Sequence, residues 1–156
     1  MKAKEYLLQL EELEEKIKHR VQEREELKLK CEGVGAIRYD KDKVQTSVKN
    51  LQEELIAKYI DLEREINTEL FEFLETRRKI IKEVESLSNV DYVKLLHKRH
   101  IEYKKLDQIA EEMHFEPGYI RKMIARAYEV FEKNILREEK HEQSTEESNG
   151  EGAEEQ

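Results

Sequence analysis

The stretch LDQIAEEMHFEPGYIRKMIARAYEVFEK, residues 106–133, decides how the rest of the chain is read. Apolar residues recur at helical spacing on both sides of an interruption at HFEPG: Leu106, Ile109 and Met113 before it, and Ile120, Met123, Ile124 and Ala127 after it. Pro117 marks the start of a new helix, because at the first helical position its missing N–H has no intrahelical partner to lose. His114 stands four residues after Ala110 and six before Ile120. This spacing places a small residue where two helices cross, a residue that tolerates positive φ in the turn, and an apolar lock on the second helix. Phe115 completes the expected core.

Working upstream, SNVD at residues 88–91 breaks the preceding period and offers capping side chains, so a helix is expected to begin near Asp91 and to bury Val93, Leu96 and Ile101. Three helices within about fifty residues, the last two joined by a tight turn, describe a helix-turn-helix domain over residues 88–137. In such a domain the third helix enters the DNA major groove by its N-terminal half, while the second lies across the backbone. Its outward residues near that entry are Gly118, Tyr119, Arg121, Lys122 and Ala125. Arg121 and Lys122 lead as base or phosphate contacts, since a guanidinium pairs bidentately with guanine and an ammonium is a flexible donor. Lys104, Lys105 and Arg126 are better placed for phosphates.

The same stretch resembles region four of bacterial sigma factors. Ile109 and Ala110 match its opening Ile-Ala pair, and Ile120, Ile124, Arg126 and Ala127 match its closing helix. With YVKLLHKRHIEYKKL before it and DKVQTS at residues 42–47, the chain more closely resembles phage and prophage late transcription regulators of the RinA and ArpU-like kind. That resemblance spans residues 30 to 133 and is specific only in the helix-turn-helix portion. It implies a DNA-binding transcriptional regulator, an activator of phage late genes, with double-stranded DNA as partner and host RNA polymerase as a further candidate. The polymerase-contacting and promoter-melting parts of a complete sigma factor have no counterpart here. Pro117 and Gly118 also stand where the family's base-reading turn usually holds polar residues, which implies a target other than the ordinary upstream promoter hexamer.

Nearer the N-terminus, Tyr6, Leu10, Leu13, Ile17 and Val21 form the stripe of an amphipathic helix over residues 4–31, with pairs such as Glu12 and Lys16 on its other faces. Carried past Val21, the same steps land on Arg24 and Lys28, so the helix is expected to fray or lose its partner there. Residues 31–50 show no helical period and contain Gly33 and Gly35, which suit positive φ, so a loop of about twenty residues is expected. A lone GVG without a following Lys-Ser or Lys-Thr pair is not a phosphate loop. From Leu51 to Leu87 the period returns, with Leu55, Tyr59, Leu62, Ile66, Leu70, Phe73, Ile80, Val84 and Leu87 widened by Ile56, Ile60, Leu74 and Ile81. So broad a face over so long a helix needs partners. The first helix folding back as a coiled-coil-like hairpin over residues 1–87 supplies one, and a second copy of the chain the other; the alternative is a monomer whose long helix packs on the C-terminal helices. The fold class is therefore all-α.

Of the 156 residues, 42% are charged against 37% hydrophobic, and the formal net charge is −8. Nearly all of that acidity lies in residues 138–156, with eight acidic side chains against one lysine, whereas residues 91–137 carry ten basic and eight acidic. The tail has too little apolar surface to offset ordering and is expected to be disordered, as a solubilising end or as an electrostatic brake competing with phosphate for the protein's own basic surface. No apolar run suggests a signal peptide or membrane span, and Cys31 has no second cysteine to pair with, so a cytoplasmic protein without membrane partner is expected. His97 and His100 lack a third metal ligand nearby, and no nucleophile with its base, metal cluster or cofactor motif stands out, which points away from an enzyme. Two other readings compete: a phage small terminase subunit, which usually places its DNA-binding domain first, and a coiled-coil adaptor in which the helix-turn-helix is only a packing module.

Overall fold

The structure, a computed structural model, describes residues 1–35 and 42–137. Every regular element among these residues is helical: α1 Ala3–Gly35, α2 Asp42–Glu85, α3 Val90–His100, α4 Leu106–Met113 and α5 Pro117–Phe131, the last running into a π-helical turn at Glu132–Leu136. The chain is all-α. The acidic stretch 138–156 lies outside the described residues.

The loop expected over residues 31–50 is replaced at both ends by helix, since α1 runs through Cys31 to Gly35 and α2 already begins at Asp42. Gly33 has no neighbour within 4 Å of where a Cβ would sit, so it marks neither a turn nor a close approach. Starting a helix is costly, whereas each further residue adds a hydrogen bond; a helix already formed absorbs the roughly 1 kcal/mol penalty of one glycine. The same reasoning extends α2 backward from Leu51 through residues that show no apolar period of their own.

Nor does α1 stop where its apolar stripe fails. Beyond Val21 the half-buried line continues through Arg24, Leu27 and Cys31. Charge replaces apolar contact there: Arg20 reaches Glu65 at 3.2 Å and Glu69 at 3.2 Å, and Lys16 reaches Glu69 at 3.1 Å. Partners that rise along α1 fall along α2, so within residues 12–75 the two helices run antiparallel. Glu69 is only 9% exposed, its Oε1 taken by both cations, while its Oε2 and the Nε of Arg24 are buried without a partner. Such a charged layer contributes little net stability after desolvation but penalises a slipped register.

Among the described residues, those within 12–75 form one compact unit, and residues 1–11 with 76–137 form the other. Residues 1–11 and 76–87, expected in the N-terminal hairpin, fall in the unit that holds α3, α4 and α5. The second unit draws its core from both ends of the sequence, burying Leu7 and Leu10 of α1, Ile80 and Val84 of α2, Leu95 and Leu96 of α3, Ile109 of α4, and Ile120 and Phe131 of α5. The Tyr6 and Phe131 rings lie 6.0 Å apart, the Tyr6 hydroxyl donates to Glu83 at 2.8 Å, and the Ala3 N–H donates to Glu132 at 3.4 Å. Among the described residues no helix is long and apolar enough to cross a membrane.

Candidate nucleic-acid interface

Local chemistry fixes the three helices that follow α2. The Asn89 side chain caps α3 by accepting from the backbone N–H groups of Asp91 at 3.0 Å and Tyr92 at 3.3 Å. α4 ends at His114, which adopts φ 59 and ψ 40, the left-handed conformation expected of it. The Phe115 N–H then bonds back to the Ala110 carbonyl at 2.9 Å, and α5 opens at Pro117. Ala110 is 1% exposed and Ile120 fully buried, so the small residue and the lock occupy the places their spacing demands. Met123, Ile124 and Ala127 are buried with them, whereas Leu106, Met113 and Phe115 are only half-buried.

This packing turns the opposite side of α5 outward. Gly118, Tyr119, Arg121, Lys122, Ala125 and Arg126 are all exposed on it, and Lys105, at the N-terminal cap of α4, is exposed as well. The Tyr119 ring rests against Phe115 with centroids 5.1 Å apart, which makes it a rim for this face more than a free side chain. Arg121 is 63% exposed and touches Asp107 at 3.4 Å, a surface pair of at most about 1 kcal/mol that leaves the guanidinium available.

Lys104 is the candidate that the geometry engages elsewhere. Its ammonium lies 2.6 Å from Glu102 and 2.9 Å from Glu112, and Lys98 meets the same Glu112 oxygen at 2.7 Å. Hydrogen bonds donated by Lys98 and Lys104 hold the Glu112 carboxyl down to about 2, and those that Lys104 donates to Glu102 and Glu112 push its own ammonium up. Glu102 is lowered chiefly by Lys104. A phosphate at Lys104 must therefore compete with two carboxylates. The network braces the α3–α4 turn, where Arg99 donates to the Lys104 carbonyl at 2.9 Å and Tyr103 takes a positive φ of 56. Sequence reading missed this brace, because Lys98, Lys104 and Glu112 share no periodic spacing.

His97 and His100 do different work despite being three apart. His97 pairs with Glu102 at 3.1 Å, while His100, 3% exposed, shares a hydrogen bond of 2.8 Å with the Tyr128 hydroxyl. Among the described residues no three metal-capable side chains come together. Burial, helped by Arg99 and Lys4, depresses His100 from 6.5 to about 4. The unfolded chain takes up this proton near pH 6.5 and the folded one only near 4, so His100 contributes stability that is fully present above 6.5 and lost as pH falls toward 4. The loss approaches about 3 kcal/mol, and it precedes that from Glu102 and Glu112, which begins only as pH falls below 4.5. Urea titrations between pH 7.5 and 4.5 are expected to show this slope, and His100→Gln to flatten it; an equal slope in the variant would assign the effect to other groups.

The surface charge is balanced. From Lys105 to Arg126 there are four basic and four acidic side chains, so the face offers a few placed cations and no broad positive field. No protein-family model matches the chain, and neither a curated protein nor a solved structure gives a significant match.

Proposed function

We propose that this protein is a homodimeric, sequence-specific DNA-binding transcriptional regulator that reads the major groove with the N-terminal half of α5. The observation that carries the reading is the exposure of Arg121, Lys122 and Arg126 on one face of a helix whose other face buries Ile120, Met123, Ile124 and Ala127. Arg121 and Lys122 take the base-reading role, Lys105 and Arg126 the phosphate-positioning role, and Lys104 a bracing one. The resemblance to prophage late regulators adds activation of late genes as the expected outcome of binding, in a bacterial cytoplasm, with RNA polymerase as a further contact. With a neutral face, nonspecific attraction is weak, and two copies are needed to reach useful affinity.

The test is selection of bound duplexes from a genomic or random pool, followed by affinity against salt on the winner. Four cationic side chains per copy give at most eight phosphate contacts in a dimer, so the log–log slope is expected to be no steeper than about −7. Absence of binding even at low salt would discard the reading in favour of an adaptor, which the balanced charge of the face favours. A ring-sized mass in solution would instead point to a terminase subunit.

A further inference from the structure

Two apolar lines run along α2 within residues 12–75. One, through Leu62 and Ile66, is buried on the side of α1. The other, about 100° around the helix, reads Ile56, Ile60, Glu63, Asn67, Leu70 and Leu74, in alternating steps of four and three. Its four aliphatic side chains are between 40% and 50% exposed, and Phe71 beside it is 68% exposed. An apolar stripe of this length left to water marks an interaction surface.

We propose that this second line is the seam of a homodimer in which α2 packs antiparallel against α2 of a second copy, with the two-fold axis passing Glu65. The inference rests on the homodimer of the proposed function and specifies its geometry. The line is self-complementary under that operation alone. Ile56 falls opposite Leu74 of the second copy, Ile60 opposite Leu70, and Glu63 opposite Asn67, each pair being centred on residue 65. Three residues before Ile56 stands Glu53 and three after Leu74 stands Arg77, and these are centred on the same residue, so an acid meets a base at either end. Among the described residues Glu53, Glu63 and Arg77 make no ion pair, so their charges are open to a partner. A parallel, in-register pair would also join apolar to apolar, but it would set Glu53, Glu63 and Arg77 each against its own copy, three like-charge encounters. Glu65 itself is turned toward Arg20 of α1 and does not block the axis.

The test uses the full chain without DNA, so that failure here is separate from failure of the DNA-binding reading. Sedimentation equilibrium is expected to give a dimer, and Ile60→Glu to weaken association by about tenfold or more with helicity unchanged, the site being exposed. Glu53→Arg and Arg77→Glu are each expected to weaken association and together to restore it. In a Cys31→Ser background, oxidising a mixture of Ile56→Cys and Leu74→Cys chains should yield a mixed cross-linked dimer, and Ile56→Cys alone should yield none. A monomer, covering of the stripe by some other protein, or efficient cross-linking of Ile56→Cys to itself would each overturn the proposal.

Discussion

Leu7→Ala is expected to loosen α5 even though the two residues belong to opposite ends of the chain. Leu7 is 0% exposed in the unit that also buries Ile120 and Phe131, and removing a buried leucine side chain costs the lost transfer free energy plus that of the cavity left behind. The expected loss is about 2 to 5 kcal/mol, felt by the whole cooperative unit. Native-state amide exchange reads this without assuming that the two units unfold together. Protection of the Ile124 and Ala127 amides should fall by roughly 30-fold to several thousand-fold. Leu29→Ala, at a site 68% exposed in the other unit, is the control and should change stability by no more than about 0.5 kcal/mol. If Leu7→Ala left α5 as well protected as the control does, residues 1–11 would not belong to that unit.

The second large effect is on binding. Arg121→Ala combined with Lys122→Ala is expected to abolish specific DNA recognition while the protein stays folded. Losing a bidentate Arg–guanine contact costs about 1 to 3 kcal/mol of discrimination, and in a dimer the loss is incurred at both half-sites. Both side chains are exposed, and Arg121 gives up only its 3.4 Å contact with Asp107, so stability should change by no more than about 0.5 kcal/mol. Lys122→Ala alone should reduce the salt slope by about two for the dimer if it meets phosphate, and leave the slope unchanged if it meets a base. Selection and titration with the double variant separate the possibilities. Undiminished binding would remove α5 from the interface, and reduced helicity would reassign these residues to folding.

What could be read from sequence was whatever local chemistry imposes. Asn89, His114 and Pro117 act within one turn of themselves, and their cap, left-handed turn and helix start lie where spacing put them. The outward face of α5 followed from the same period that buries Ile120 and Ile124. The end of α1 was not legible, because its contact with α2 changes from leucine and isoleucine to Arg20 and Glu69, and a charge in a seam looks like a charge on a surface until its partner is known. Gly33 misled for a related reason: glycine permits a turn but does not require one. The ion pair of Lys104 with Glu112, eight residues away, is not legible either, because only the α3–α4 turn brings the two together. The apolar stripe that starts at Tyr6 announces that something covers it, but not that part of the cover is Phe131.

The Tyr6–Phe131 contact also sets an order in time. The two residues are separated by more than a hundred positions, and at about 5 to 20 residues per second a ribosome takes on the order of ten seconds to pass from one to the other. During that interval α1 and most of α2 can pair locally, but Tyr6 lacks its contact with Phe131 until α5 has been made. Closing a loop of that length carries an entropic cost, and it completes the core of the unit that carries Arg121 and Lys122. A partly synthesised chain would therefore have the helices of the proposed dimer seam before its C-terminal unit was complete.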